Sequence, residues 1–538
     1  MIILANQEGF LLLAQTASTR FQGATFYNKG RAYKAIEGIY PKGEIVESTN
    51  TLFSAHREFP GGTESYYLHG KGFVYENPKG QECTLVLDCR AQDDLSSWGR
   101  NYTIAHGQGC VLITFDKHNT PEEEGEEYGF FVAVCAPKLQ YKPVKKWVEH
   151  TYPYDTQRHS KPDSRWVYQA LRFKSTISVG YGPDKKQAIA HAKKLLKDHE
   201  KTKKQQEKTV VNLIDKHASL AAQCARASLH SLTTKEGILA GIPWFTECWS
   251  RDELISCKAA GNIATVVKKY KQFPILHKQG GDVIAADAPG WLFLRWQELM
   301  KGVVSGADTK RARQAIQAHL GTLNWEDGLV RNEAKETWMD SISRDGCRLE
   351  IQALTLAAMK LSSQLGQPIP EEKKLKERVR QEMWHGRCLW DGRHDPTVRP
   401  NIFLAAYAYP DLLNKSEWTS CYKQALDKLW LEWGGLSTID KTNQAFVETH
   451  TGEDPTSYHN GDSWYWVNNL AAKVLQDHGG FETYVRKIKK ASETEITSMG
   501  AIGHHAEVSA AKKQTSQGCP AQAWSAAMFL ELTRDLAD

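Results

Sequence analysis

Several common signatures of function are missing from this 538-residue chain. It has no GxSxG elbow, no Walker loop, no HExxH and no GxGxxG after a strand, which argues against serine hydrolases, nucleotide-binding enzymes and zinc proteases. No apolar run reaches the roughly 18 residues of a membrane-spanning helix. The net charge of +5 is too small to indicate nucleic acid or an anionic membrane as a partner.

The cysteines also lack a pattern. Eleven of them are scattered without CxxC spacing. The start of the chain has no basic segment ahead of its apolar stretch and is typical of a first β-strand rather than a signal peptide. We therefore expect reduced thiols and a cytoplasmic protein, with no metal and no cofactor.

Tryptophan is abundant and unevenly placed. Fourteen of the 17 Trp lie at or after Trp244. An indole can stack on the C–H face of a sugar, although each Trp alone is equally consistent with a core residue. The excess as a group makes carbohydrate the first ligand class to consider.

The hydrophobic pattern divides the chain into three parts. Residues 1–180 contain short segments rich in β-branched and aromatic residues between turns, which predict an antiparallel β-sandwich. Residues 181–210 form a Lys-rich stretch that we interpret as a solvated linker helix. Residues 211–538 have helical periodicity without a fixed repeat, which favours a closed ring of helical hairpins over an open solenoid.

Loops that mix acids with aromatic residues lie between these helical segments. Arg251 beside Asp252 could hold two vicinal hydroxyls of a sugar, although a local ion pair at a helix start is the alternative. Asp340 follows Trp338 and Met339, and an apolar wall raises a carboxyl pKa toward the range of a general acid. Glu507 is the preferred water-activating base, since the neighbouring His pair matches no strong metal motif.

Two carboxylates in an aromatic pocket are what glycoside hydrolysis requires. The further substrate contacts that we expect are aromatic residues, one acid and one histidine, although Asp287 is equally suited to a helix cap and His459 to the core. They are Trp244, Phe245, Trp249, Asp287, Trp291, Trp338, His459, Trp464 and Trp466.

Several linked motifs resemble the amylo-α-1,6-glucosidase (glycogen-debranching) family in its short, prokaryote-type form. They are PWFTECWSRDELIS, ETWMDS, LEIQAL, RPNIFLA, GGLST, YHNGDSWYW and GCPAQAWS, between Leu239 and Trp524. The resemblance implies an (α/α)6 six-hairpin toroid and an inverting mechanism. It also implies that Asp340 is the acid, Glu507 the base, and Arg251 and Asp252 the holders of the terminal glucose.

The sequence differs from the family at two points: WFTECWSRDE has an inserted residue and Glu247 in place of Asp, and the Glu507 loop, GHHAEVSAAKK, matches weakly on its C-terminal side. We expect release of α-linked glucose from a glycogen-like glucan, most directly at α-1,6 branches. The alternatives are hydrolysis of another α-glucoside (an α-1,4 glucan, trehalose or a glycosylated small molecule) and a glycan-binding protein without activity.

Overall fold

The computed structural model describes residues 1–534 except 52, 108, 121–124, 138–139, 214–217 and 302–305. The chain divides into two compact units. The β-rich unit comprises Met1–Ala218 with the short segments His230–Glu236 and Ala501–Gly503, and the helical unit comprises Ser219–Leu229, Gly237–Gly500 and His504–Asp538. In the described part of the chain no helix has both the length and the apolar character needed to cross a membrane.

The β-rich unit is built from antiparallel strands. The strands are β1 (Ile2–Asn6), β2 (Gly9–Leu13), β3 (Gly23–Asn28), β4 (Arg31–Ile36), β5 (Gly38–Pro41), β6 (Glu47–Asn50), β7 (Ser54–Phe59), β8 (Gly62–Leu68), β9 (Gly72–Glu76), β10 (Cys83–Leu87), β11 (Arg90–Ala91), β12 (Arg100–Gly107), β13 (Cys110–Lys117), β14 (Tyr128–Cys135), β15 (Tyr141–Thr151), β16 (Ser164–Phe173) and β17 (Ile177–Gly182). Their spatial orders are β1-β2-β3-β4-β11, β15-β16-β10-β5 and β12-β13-β14-β17-β9-β8-β7-β6. Two helices, α1 (Pro153–Gln157) and α2 (Lys185–Leu213), complete the unit.

The three sheets share one apolar core, because alternate residues of each strand point to the same face. On β13, Val111, Ile113 and Phe115 are buried in this core. The opposite face of the same strand is also covered, since Cys110 and Leu112 pack with residues of α2.

Helix α2 corrects the prediction of a linker. Its Ala188, Ile189 and Ala192 are buried against β13 and β14, and Leu195 packs on Tyr67. These apolar residues form a narrow stripe among many lysines, which explains why composition alone indicated a solvated helix. The helix is part of the β-rich unit.

The prediction of reduced thiols throughout is also wrong. Cys110 and Cys135 form a disulfide, while the remaining nine cysteines are free. The two residues lie directly opposite each other on β13 and β14 with a Cα–Cα distance of 4.5 Å. That distance is within the range that a disulfide spans, and only the register of the sheet brings the two residues together.

The second unit is helical. Its helices are α3 (Leu220–Leu232), α4 (Ser250–Ser256), α5 (Ile263–Lys269), α6 (Ala288–Leu299), α7 (Gly306–Thr322), α8 (Leu349–Gln364), α9 (Glu371–Met383), α10 (Asn401–Ala408), α11 (Lys415–Leu429), α12 (Tyr465–His478), α13 (Glu482–Ser498) and α14 (Ala523–Thr533). Short strand pairs connect its loops: β18 (Gly241–Ile242) with β25 (Ala521–Gln522), β19 (Asn324–Glu326) with β20 (Leu329–Arg331), β21 (Trp430–Leu431) with β22 (Gly435–Leu436), and β23 (Ser463–Trp464) with β24 (Val508–Ser509).

In the helical unit, the even-numbered helices from α4 to α14 pack against one another in a closed circuit. Contacts run from α4 to α6, α8, α10, α12 and α14, and from α14 back to α4. These helices are buried along most of their length, as α14 is from Ala523 to Leu532. The odd-numbered helices from α5 onward pack beside them, and α9, for example, buries only Leu375, Val379 and Met383.

Candidate active site

The predicted acid and base lie in loops that precede helices of this circuit. Asp340 is in the loop between β20 and α8, and Glu507 directly precedes β24. Arg251 and Asp252 occupy the first turn of α4, with Asp287 at the N-cap of α6. These side chains therefore lie at the N-terminal ends of helices α4, α6, α8 and α14, or in the loops before them.

Arg251 links two of the acids. Its Nε donates to Asp287 Oδ2 at 2.7 Å, and its Nη1 lies 3.6 Å from Asp340 Oδ2. Asp287 is fully buried, and its contact with substrate stays a prediction. A buried carboxylate opposite a buried guanidinium satisfies the charge of both groups, and Asp287 therefore orients Arg251.

Asp340 is suited to hold a proton near neutral pH. Burial raises the pKa of its carboxyl to about 6, and the attraction of Arg251 limits the rise. Its side chain nevertheless keeps 35% of its surface exposed, so a ligand can reach it. His277 Nδ1 lies 4.0 Å from Asp340 Oδ2. Burial and the charge of Arg251 lower the pKa of His277 to about 4, which makes this imidazole neutral above that pH.

Glu507 is held by two donors. Tyr458 donates its hydroxyl to Oε1 at 2.5 Å, and the backbone N–H of Cys519 donates to Oε2 at 2.8 Å. The approach of this backbone requires Gly518, because a Cβ there would lie 2.5 Å from Glu507 Oε2. The carboxylate of Glu507 is thus fixed in direction, with both oxygens engaged.

Asp340 and Glu507 belong to one electrostatic site. Both act on Asp252, whose carboxyl pKa is raised to about 8 chiefly by burial, with Arg251 opposing the rise. Both also act on the hydroxyl of Tyr458, whose pKa is raised mainly by burial. The two acids, remote in sequence, are also connected through one dipeptide, because Tyr458 bonds Glu507 and His459 bonds Ser341 beside Asp340.

The loop of Asp340 is braced on both sides. Ser341 Oγ and His459 Nδ1 form a hydrogen bond of 2.6 Å, and Trp338 Nε1 donates to Asn401 Oδ1 at 2.7 Å. Arg344 bonds Thr337 at the start of the loop and pairs with two buried acids, Glu350 and Asp391. His459 is fully buried and supports the loop, and its contact with substrate stays a prediction.

Four of the predicted stacking rings are also buried. They are Trp291, Trp338, Trp464 and Trp466, with exposed fractions of 3% or less. Trp338 contacts Trp464 and Trp466 edge to face, with ring centroids 5.5 and 5.2 Å apart. The large apolar area of these indoles is used in packing beneath the site, and their contact with a sugar stays a prediction.

Three of the predicted aromatic residues are more accessible than these four. Trp244, Phe245 and Trp249 are partly exposed, and the ring of Trp249 lies 6.2 Å from that of His277. Arg251 and Asp252 are nearly buried, and Asp252 accepts from Gln522 Nε2 at 3.0 Å. Contact of these five residues with a sugar stays a prediction.

The sequence does not indicate which residues contact Asp340 and Glu507. His277 lies in a segment without any motif, and only the fold brings it to Asp340. Tyr458 was visible within the YHNGDSWYW motif, but nothing in the sequence shows that its hydroxyl faces Glu507. His504 and His505 bond Ser228 and Glu495, respectively, so both imidazoles have structural partners.

Comparison with known proteins identifies the class. Residues 292–531 match the family model of amylo-alpha-1,6-glucosidase. The chain therefore contains a domain of the amylo-α-1,6-glucosidase family, as the motifs predicted, and it is a glycoside hydrolase. No curated protein sequence matches the chain.

Solved structures resemble the chain at low identity. An uncharacterized conserved protein from Thermus thermophilus has 15% identity and a TM-score of 0.44, and the match covers 58% of this chain and 100% of that one. A GH63 mannosylglycerate hydrolase from the same organism, in complex with Tris and D-glycerate, has 13% identity, the same TM-score and coverages of 59% and 100%. The structure of a wild-type glycosidase has 12% identity and a TM-score of 0.44, and the match covers 61% of this chain and 98% of that one.

Proposed function

We propose that the chain releases α-linked glucose from a glycogen-like α-glucan, most directly at α-1,6 branch points, with inversion at the anomeric carbon. The observation that supports the proposal is the pair of hydrogen bonds from Tyr458 to Glu507 and between His459 and Ser341, next to Asp340, which link the loops of the two acids. In an inverting reaction one carboxylic acid protonates the leaving oxygen and a carboxylate on the opposite face of the sugar activates water. Asp340 is the acid and Glu507 the base.

The surroundings support this assignment of roles. A general acid must be protonated at the working pH, and burial raises the pKa of Asp340 to about 6. Glu507 receives two hydrogen bonds, which point it in one direction. Arg251 and Asp252 hold the hydroxyls of the terminal glucose, and Trp244, Phe245 and Trp249 line its path.

The circuit of helices supports a six-hairpin, (α/α)6 toroid for the helical unit. Each helix from α4 to α14 with an even number contacts two others of the circuit, and odd-numbered helices pack outside. In such a ring the loops before the inner helices meet at one mouth, where Arg251, Asp287 and Asp340 lie. The β-rich unit, formed mainly by Met1–Ala218, is a β-sandwich in this proposal. A cytoplasmic location stays a prediction.

The test is incubation of the full chain with glycogen limit dextrin, with proton NMR of the first product. We expect β-glucose to appear before mutarotation mixes the anomers. α-Glucose as the first product would contradict inversion. No glucose from the limit dextrin, together with cleavage of maltotriose, trehalose or another α-glucoside of a defined panel, would contradict debranching.

The pH profile gives one prediction. Asp340 acts only when protonated, so kcat/KM for dextrin should fall about tenfold per pH unit above the pKa of about 6. The measurement is initial rate at low substrate between pH 4.5 and 8.5 at constant ionic strength. α-Glucosyl fluoride serves as the control, because fluoride leaves without protonation and its rate should lack this descending limb. The same limb with both substrates would assign the titration to another group.

Gly518 gives a second prediction. It adopts φ +65°, and the Cβ of Gly518→Ala would press on Glu507 Oε2. We expect kcat to fall at least tenfold because the carboxylate turns away from the water. Gly386→Ala is the matched control, since Gly386 has φ +78° with nothing within 4 Å of a Cβ. Both variants should lose about 1–2 kcal/mol of folding free energy in denaturant melts, and equal kcat in the two would contradict the role of Gly518.

A further inference from the structure

The β-rich unit contains a cavity of about 590 Å³ that lies outside the candidate active site. Residues of β2, β4, β5, β7 and β8 line it together with the segment 41–45. Apolar walls come from Leu11, Ile36 and Phe73, among others. A volume of this size accommodates one or two sugar rings, and mixed apolar and polar walls are typical of small-ligand sites.

Polar side chains from strand β7 and from the segments flanking β3 and β5 converge on this cavity while they remain buried. Gln22 is 5% exposed, Glu37 1% and Arg57 7%. Gln22 donates from Nε2 to both Glu37 Oε1, at 2.8 Å, and the hydroxyl of Tyr40, at 2.7 Å. Within the described residues its Oε1 accepts no hydrogen bond, so an acceptor is left for a ligand.

Arg57 offers the complementary donor. Its Nε donates to Glu64 at 2.5 Å and its Nη2 to the hydroxyl of Tyr66 at 2.9 Å. Its Nη1 donates to no other described residue, and the guanidinium lines the cavity. An amide acceptor and a guanidinium donor together suit a pair of hydroxyl groups.

The buried charges of the cavity wall are paired, which favours a neutral ligand, and the third charged residue of the wall, Glu44, is exposed to solvent. Glu37 pairs with Lys34 and lies 3.1 Å from His150 Nδ1, and Arg57 pairs with Glu64. Since each buried charge already has a partner of opposite sign, an ionic ligand would lack a counter-charge here.

Tyr40 provides an aromatic surface at the same place. It is 36% exposed, and it lines both this cavity and a second recess of about 520 Å³ on the sheet β15-β16-β10-β5. The second recess is lined by further polar side chains, including Thr84 and Gln169. An exposed aromatic ring between two polar recesses can stack on the C–H face of a sugar while neighbouring groups bind its hydroxyls.

We propose that this cavity binds the end of a neutral oligosaccharide, which gives the β-rich unit a carbohydrate site separate from the catalytic one. Tyr40 stacks on a sugar ring, and Gln22 and Arg57 bind its hydroxyl groups. The choice of an α-glucan as probe rests on the proposed function, whereas the site itself requires no hydrolysis.

The experiment is calorimetric titration of maltotriose into the full chain carrying Asp340→Asn, which is expected to slow any turnover. We expect two binding events. Adding Tyr40→Ala should weaken one of them about tenfold or more, the effect of losing about 1.4 kcal/mol of aromatic contact, and leave the other unchanged. Thr16→Trp, an exposed position on the cavity wall, should have the same effect by filling the space.

Trp166→Ala is the matched control, because Trp166 is 51% exposed on β16 but lines neither recess. It should retain both events, and thermal melts should show that all variants are folded. A single event that neither Tyr40→Ala nor Thr16→Trp changes would overturn the proposal. If the wild-type chain releases no glucose but the Tyr40-dependent event is present, the catalytic proposal fails and the carbohydrate site stands.

Discussion

Asp340→Asn is expected to reduce kcat on limit dextrin by about 10²–10⁴-fold, the contribution of a positioned general acid. The amide keeps the size of the side chain but cannot give a proton to the leaving oxygen. It also keeps an oxygen toward Arg251, so the fold and glucan binding should persist. Steady-state rates and calorimetric binding of maltotriose measure the two effects separately.

A substrate with a good leaving group sharpens this test. With α-glucosyl fluoride the Asp340→Asn variant should recover most of its loss, since little protonation is needed. Asp345→Asn is the control: Asp345 lies in the same loop, its side chain is 50% exposed, and it pairs with Arg331. Wild-type turnover of dextrin by Asp340→Asn, or an equal loss in Asp345→Asn, would contradict the assignment.

Glu507→Gln is expected to have an effect of similar size, with a different dependence on substrate. The amide cannot take a proton from water, so dextrin and α-glucosyl fluoride should both lose about 10²–10⁴-fold in kcat. The contacts from Tyr458 and Cys519 also weaken, because an amide offers one oxygen where the carboxylate offers two. Rates on both substrates under identical conditions provide the measurement.

Glu247→Gln is the control for Glu507. Glu247 has a half-exposed side chain that pairs with Lys278, beside Trp249, and its loss should change kcat less than threefold. Recovery of Glu507→Gln activity with α-glucosyl fluoride would contradict its role as base, because a base acts on water whatever group leaves.

The arrangement of strands followed by helices could be predicted from periodicity, but the degree of burial could not. The final helix α14 has Trp524, Met528 and Leu532 in one stripe, and the sequence predicts a single buried face. In the structure nearly every residue of α14 is buried, because this helix contacts α12 on one side and α4 on another. The alanine and serine residues on the rest of its surface are common in both buried and exposed positions, so the sequence does not indicate that they are closely packed.

The acids of the site could be predicted, whereas their partners could not. Asp340 beside two apolar residues already indicates a raised carboxyl pKa, since the cause lies within its own segment. Asp287 and His459 have equally suggestive neighbours, yet one pairs with Arg251 and the other supports Ser341. Which acid faces solvent and which faces a buried cation depends on contacts between loops far apart in the chain.

Two consecutive residues hold the two proposed catalytic loops. Tyr458 bonds Glu507, and the next residue, His459, bonds Ser341 beside Asp340. One dipeptide thus links the two proposed catalytic loops. Lengthening or shortening the 451–462 loop by one residue is expected to shift these loops against each other, which would change the spacing of the two carboxyl groups.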